Sequence, residues 1–483
     1  MIKTISTLEI APKEALPQTA IPGEPPMPVF GWRGNFTQFL GDPIAYMRKL
    51  YLRHGKIACL VQGQKSMIFA FGPEYNQLVL TNPTLFLNAG IAHPGPKNSA
   101  NRRVGFGLLS MNGAQHKRHR QLTMPPLQNR AMPKYHEDII KITQTVLEPW
   151  ATKRKLDVWL EMKRLTKLIA STLLFGLDDP TEVMELSDVF EKWQDMNISI
   201  PVRLFQISFV GSPYYRMLRL AEQLEEKTIK MINRKRANLS ANATDILSIF
   251  LQARGEDGNL MTEEELIGQI NFLFEASYET SSNSLTWTLF LLSQHPKIMA
   301  DLFDELYQVL GGKPPTVEQL NQLPFLERVI KESMRLLAPP VYSYRVTSQA
   351  VRLGPYQLQP GTTVAFSHYM THHMPELFQN PNQFMPERWL SINPSPYEYL
   401  PFGAGAHSCL GSPFALMSMK IVLAAVLQRY RLTAIPGSRI SRKVLVLLAP
   451  KYGMPMMIQK QDREFNKSKT QVRGNVHEMI DLK

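Results

Sequence analysis

One of the two cysteines in this chain, Cys409, stands in the run FGAGAHSCLG, residues 402–411, where three glycines and two alanines leave little bulk around the thiol. Behind it Ser412 and Pro413 read as the cap and first residue of a helix, PFALMSMKIVLAAVLQRY, whose positive end lowers a thiol's pKa and keeps it ionised. A second chemical pair is Glu279–Thr280 inside EASYETSSNS. The carboxylate can relay protons. The Thr280 hydroxyl either bonds back to the Ala276 carbonyl or leaves an opening in the helical ladder for water or a diatomic ligand. A third group is ionic: Glu332 and Arg335 lie three apart on one helical face, and Arg388 in FMPERW can join them to anchor an irregular loop. Cys59 reads as a small buried apolar residue. His368, His372 and His373 lack the partner ligands of a metallohydrolase and read as packing.

The elements that must position these groups are mostly helices. Thr262 and Glu265 have capping-box spacing, Leu266, Ile267, Ile270, Leu273 and Phe274 follow at helical spacing, and Pro296 ends the run. About thirty residues at 1.5 Å each reach roughly 45 Å, enough to cross a whole domain, and the weak helix formers of EASYETSSNS fall in the middle. KIACLV and SMIFAF predict a hairpin, Gly72-Pro73-Glu74 opens a helix, and short strands return near residues 351–364 and 444–449. The class is mainly α with minor β. No repeat or composition break divides the chain, so the expected organisation is an extended Pro-rich leader over residues 1–34, one catalytic domain over 35–459, and a polar, mobile tail over 460–483.

Two cysteines cannot form a disulfide framework and no secretory leader opens the sequence, which points to the cytoplasm, with peripheral contact at a membrane left open. The longest apolar runs, IVLAAVL and VLVLLA, fall short of the ~18 residues that span a bilayer. The net charge of +13 suggests an acidic partner, but the basic clusters at 117–120 and 234–236 are short and no nucleic-acid-binding module accompanies them. A monomer is expected.

Four elements in order, Ala276-Ser277-Tyr278-Glu279-Thr280, Glu332-x-x-Arg335, Phe384-x-Pro386-Glu387-Arg388 and Phe402-x-x-Gly405-x-His407-x-Cys409-x-Gly411, resemble the cytochrome P450 superfamily, the haem-thiolate monooxygenases. The resemblance covers nearly all of the chain from the Pro-rich leader to about residue 459. It implies haem b with Cys409 as the axial iron ligand and Phe402, Gly405 and Gly411 shaping the loop around it, the glycines letting the backbone press close to the macrocycle. It also implies a helix-rich triangular fold with small sheets. By the same likeness His116, Arg120, Arg345 and His407 hold the haem propionates, Glu279 and Thr280 deliver protons to dioxygen, and Glu332, Arg335 and Arg388 form a structural cluster. The family usually has glycine where Ser277 stands, so the serine narrows the dioxygen groove.

Substrate contacts carried over from the family fall on Phe106, Phe272, Phe274, Ala276, Val341, Tyr342, Tyr344 and Met454. They are mostly apolar and predict an apolar chain or terpenoid of about fifteen to twenty carbons. For an acidic substrate, Lys97, Arg102 or Arg103 would meet the carboxylate at the mouth. The stretch 368–411 looks most like bacterial, especially cyanobacterial, members associated with long-chain fatty acids and terpenoids. The expected electron donor is a separate ferredoxin or flavodoxin with its reductase, steered by Lys117, Arg118, Arg120 and Lys420. Two alternatives stand beside this one. A haem-thiolate enzyme that rearranges its substrate without dioxygen would not need Glu279–Thr280, and a non-enzymatic haem sensor would not need a large apolar chamber.

Overall fold

The central helix runs Glu263–Gln294, 32 residues, and opens on the expected capping box: Thr262 Oγ1 accepts from the Glu265 amide at 3.2 Å while the Glu265 carboxylate accepts from the Thr262 amide at 2.9 Å. This computed structural model describes residues 20–482 apart from 64–66, 91–92, 177–179, 241–243 and 446. Every residue from Ser281 to Gln294 is buried, so the second half of the helix passes through the core. Its hydroxyl-rich stretch survives there because the side chains bond back along the helix. Thr280 donates to the Ala276 carbonyl at 2.8 Å, Ser284 to Thr280 at 3.0 Å and Thr288 to Ser284 at 2.7 Å. Polar side chains satisfied by their own backbone can be buried at little cost.

Helix Val158–Phe175 packs along this axis. Trp159 donates its indole N–H to Asn283 Oδ1 at 2.8 Å, and the Thr166 hydroxyl donates to the Tyr278 carbonyl at 3.0 Å. Helix Pro213–Ala237 packs on Pro180–Ile198 and on the central helix, while Pro324–Leu336 and Ser412–Arg429 also pack against the central helix. The main sheet has six strands in the order Gly23–Glu24, Ile57–Val61, Met67–Ala70, Thr363–Phe366, Ser343–Thr347, Phe86–Leu87. Ile57–Val61 and Met67–Ala70 are the expected antiparallel hairpin, with Ala58 opposite Phe69. The class is therefore the expected one, mainly helical with small sheets. Among the described residues no helix is long and apolar enough to cross a membrane.

Both ends differ from expectation where they are described. Residues 1–19 of the leader lie outside the described residues. Beyond them Gly23–Glu24 joins the sheet in parallel, and buried Glu24 accepts from Arg53 at 3.2 Å, with Lys49 and His54 also on its carboxylate. The segment expected as a mobile tail packs on the domain. Val472, Val476, Met479 and Ile480 are buried, and Arg442 holds Glu478 at 2.8 Å. Four apolar residues before, in and after the short turn Asn475–Glu478 are masked by the polar average of the segment.

Candidate active site

The cysteine loop is pinned by its own backbone, since the Cys409 amide donates to the Phe402 carbonyl at 2.8 Å. Gly403 and Gly405 take φ of +64° and +73°, a region that L side chains rarely enter. A Cβ on Gly405 would lie 2.2 Å from the Leu80 carbonyl oxygen, so this glycine lets the loop seat on helix Pro73–Thr81. Room for a macrocycle is not the only reason for it. The following helix is Ser412–Arg429 with Gly411 as N-cap, one residue earlier than the spacing suggests. Cys409 is exposed into a cavity that it lines. Burial within the surrounding protein pushes its thiol up, outweighing the Gly411 amide, the Arg120 charge and the Ser412 amide, all of which pull it down. The expectation that the helix start alone keeps the thiol ionised is therefore corrected; coordination to a metal deprotonates a thiol outright.

Facing the thiol across the cavity, the central helix contributes Phe272, Glu275, Ala276, Ser277, Glu279 and Thr280. The helix is continuous here, and of the two readings for Thr280 the back-bond is the one formed: Thr280 Oγ1 donates to Ala276 O, and Ser277 Oγ donates to the Phe274 carbonyl at 2.9 Å. Burial raises the Glu279 carboxyl, opposed by Lys163 and the Gln194 amide. Glu275 was not anticipated. Burial, and then the charge of Glu279, push it up to about 8. The available signal was its position one helical turn before Glu279, on the same face.

Of the eight anticipated substrate contacts, Phe272 and Ala276 line this cavity. Phe274 is core, its ring 5.6 Å from Phe175 and 5.5 Å from Phe190. Val341 and Met454 are fully buried, Tyr342 packs on Phe39, and the Tyr344 hydroxyl donates to the Gly90 carbonyl at 2.8 Å. The Phe106 carbonyl presses on the central helix, 2.0 Å from where a Cβ on Gly268 would stand. Leu108, Leu173, Phe190, Trp193 and Leu447 take the places on the wall. A family likeness marks the segment, but helix rotation and strand alternation decide which of its side chains turns inward.

Four basic residues converge beside the cysteine loop. The rings of His116 and His407 stand 3.9 Å apart, and Arg120 donates to the Ser408 carbonyl at 2.9 Å and to its hydroxyl at 3.1 Å. Arg345 donates to the Tyr344 carbonyl at 2.9 Å and reaches Asn88, which also approaches His407 Nδ1 at 3.4 Å. Burial first, and then the other cations, lower His407 to about 3 and His116 in the same direction, and burial lowers Arg345 to about 10. No carboxylate among the described residues compensates them in these shifts, and His116 Nε2 is buried without a partner. A cluster of basic residues with an orphaned ring nitrogen, next to a cavity-facing thiol, fits a haem with its two propionates.

The ionic cluster forms as expected. Arg335 donates to Glu332 at 3.0 and 2.9 Å, Arg388 donates to Glu332 Oε1 at 2.9 Å, and Glu332 and Arg335 are fully buried. The histidines of 368–373 are packing groups: His368 bonds the Leu400 carbonyl at 2.8 Å, and His372 Nε2 accepts from the Leu400 amide at 2.8 Å. No cluster of three or more His, Cys, Asp or Glu side chains placed to hold a metal ion occurs among the described residues. The expected cationic docking face is smaller than foreseen. Lys420 is buried and donates to Glu327 at 3.0 Å, and Arg118 is bound to Glu265 at 3.0 Å, which leaves Lys117 exposed.

The family model described as Cytochrome P450 matches residues 21–455. Cyclooctatin synthase from Streptomyces melanosporofaciens is 29% identical over 433 residues, spanning 87% of this chain and 91% of the relative. Pentalenene oxygenase from Streptomyces avermitilis is 27% identical over 413 residues, spanning 84% and 90%. Among solved structures, retinoic acid bound cyanobacterial CYP120A1 superposes with a TM-score of 0.80 at 24% identity, over 92% of this chain and 100% of that chain.

Proposed function

The chain belongs to the cytochrome P450 family and is a monooxygenase of it, and from this premise we propose that its substrate is a terpenoid of about fifteen to twenty carbons. One observation carries the reading: the wall that holds Cys409, Glu279 and Thr280 also holds Leu173, Phe190 and Trp193, reactive groups in an apolar chamber. Relatives named cyclooctatin synthase, cyclooctat-9-en-7-ol 5-monooxygenase and pentalenene oxygenase, which oxidise terpenoids, support it. A long-chain fatty acid finds fewer free cations than expected, because Arg103 is already paired with Glu225 at 2.8 Å and Arg102 donates to the Gly95 carbonyl at 3.1 Å, which leaves exposed Lys97. Titrating the ferric protein with terpenes, fatty acids, steroids and aromatic compounds tests the reading. A haem spectral shift with terpenoids is expected, and a shift with fatty acids alone overturns it.

Haem b, when bound, supplies dioxygen activation at an iron whose electron density a thiolate raises. Cys409 is the residue that would ligate it, and His116, Arg120, Arg345 and His407 would hold the propionates. The chain's own part in the chemistry is proton handling and exclusion of water. Burial keeps a proton on Glu279 to higher pH than on an exposed glutamate, so the carboxyl can release one inside the cavity. Lys163, Glu191 and Asp195 lie within its electrostatic reach. The Thr280 hydroxyl donates its one proton to Ala276 O, so it presents an accepting oxygen to the cavity and becomes a donor there on releasing that bond. Electrons come from a separate acidic carrier, a ferredoxin or flavodoxin with its reductase, approaching near exposed Lys117.

Thr280→Ala retains haem and continues to consume reductant, but releases peroxide in place of product. Product formed per reductant consumed drops by about 10². Coupling equal to that of the unaltered protein would remove the role of Thr280.

A further inference from the structure

Two carboxyls stand on one face of the central helix within the cavity wall, Glu279 and, one turn earlier, Glu275. One side chain from the neighbouring helix Pro180–Ile198 holds both. Gln194 Nε2 donates to Glu275 Oε1 and, at 3.4 Å, to Glu279 Oε2. Two carboxyls sharing an amide in a site removed from bulk water do not both ionise at neutral pH. Their surroundings separate them. Glu279 feels the Lys163 cation along with Glu191 and Asp195, and Tyr278 is the neighbouring phenol, whereas no cation is among the groups that shift Glu275. Burial and the Glu279 charge raise Glu275 to about 8, so at neutral pH it keeps its proton. A protonated carboxyl has an O–H to donate.

Leu173, Phe190 and Phe272 line the wall beside that O–H, and polar neighbours on it are already engaged: the Trp193 indole N–H donates to Asn101 Oδ1 at 2.6 Å, Asn271 donates to the Ile267 carbonyl at 2.8 Å and the Ser277 hydroxyl to the Phe274 carbonyl at 2.9 Å. A buried donor facing an apolar chamber is costly unless the occupant accepts from it. We propose that Glu275, clamped by Gln194, is the polar anchor for the substrate, donating to a hydroxyl or carbonyl oxygen that the substrate already carries. This rests on the terpenoid reading and narrows it to neutral, oxygen-bearing terpenoids. A bare hydrocarbon leaves the donor unpaired, and an ionised acid would stand beside two carboxyls with no cation among the groups that shift Glu275. Thr280 lies five positions after Glu275, about 7.5 Å along the helix axis, so the carbon oxidised lies several bonds from the oxygen that is held. The reaction that supplies this substrate must therefore be one that leaves an alcohol or ketone on the terpene skeleton.

The test uses the ferric haem-loaded protein, titrated spectrally with one terpene skeleton presented as hydrocarbon, alcohol, ketone and carboxylic acid. The unaltered protein is expected to bind the alcohol or the ketone about tenfold or more tighter than the hydrocarbon. Glu275→Leu brings that ratio to about one, while Glu275→Gln, which keeps an N–H donor of similar shape, retains most of it. The carbon monoxide spectrum of each reduced variant establishes that its haem site is intact. Equal affinity for hydrocarbon and oxygenated forms in the unaltered protein, or an unchanged ratio in Glu275→Leu, overturns the anchor and leaves the terpenoid reading standing. Binding of no terpenoid form overturns the terpenoid reading and the anchor together.

Discussion

Cys409→His abolishes the red-shifted carbon monoxide band of the reduced protein and takes monooxygenation to background. The expected loss follows from what the ligand does: a thiolate pushes electron density through the iron toward the dioxygen bond, and a neutral imidazole does not. Folding should survive the change, because the loop is held by the Cys409 amide on the Phe402 carbonyl and by Arg120 on Ser408, contacts that do not involve the sulfur. The side chain itself opens into the cavity, so the stability change is expected to stay within about 1 kcal/mol in urea unfolding. Cys59→Ser is the control. Its sulfur is buried 3.1 Å from the Val61 carbonyl, away from the cavity, and the band should not move. An unaltered band in Cys409→His sinks the ligand assignment.

The parts of the fold legible in the residues alone are those that short-range chemistry specifies. The capping box at Thr262 and Glu265 sets the start of the central helix within one turn, and the hairpin of Ile57–Val61 and Met67–Ala70 follows from two apolar runs around a glycine turn. The site motifs are local in the same sense, with ligand, glycines and helix start all inside 402–413. Glu332 and Arg335 are three apart on one helix, so their pairing needs only that helix, although reaching Arg388 needs the fold.

Features that stayed hidden depend on neighbours remote in sequence. Lys420 looks like a surface cation, yet Glu327 and the Leu320 carbonyl, from a different helix and turn, draw it inward. Glycine at position 405 answers to Leu80, more than three hundred residues earlier. Six of the eight pocket residues lie off the cavity wall for the same reason. Phe274 and Phe272 are two apart on one helix, and only the packing of Phe175 and Phe190 against the first decides that the second faces the chamber. Glu275 passed as one more polar residue in a polar run, because its importance lies in Gln194, on another helix, and in the absence of a cation among the groups that shift it.

The largest stability effect is expected from Arg335→Ala, which should yield no haem-loaded folded protein. Arg335 is fully buried and donates to both Glu332 oxygens and to the carbonyls of His372, Pro381 and Gln383, at 2.8, 2.8 and 3.2 Å respectively. Removing one partner of a buried ion pair costs about 3–5 kcal/mol because the other charge stays behind uncompensated. The three carbonyls add about 1–3 kcal/mol each where water cannot reach them. The sum is comparable with the whole stability of an ordinary domain, about 5–15 kcal/mol. Arg388 still reaches Glu332, and the Trp389 indole N–H and Met385 amide also donate to it at 3.0 and 3.1 Å, so the carboxylate is only partly deserted. Arg388→Lys removes less: the Nε bond to Glu332 and the fork onto the Gln379 and Asn380 carbonyls are weakened while Arg335 remains. That variant should fold with its urea midpoint lowered by the equivalent of about 1–3 kcal/mol. The two measurements discriminate between an ionic anchor and ordinary packing. If Arg335→Ala folds, binds haem and unfolds within about 1 kcal/mol of the unaltered protein, the cluster does not hold the loop that carries residues 379–388, and the burial of these three charges has some other cause.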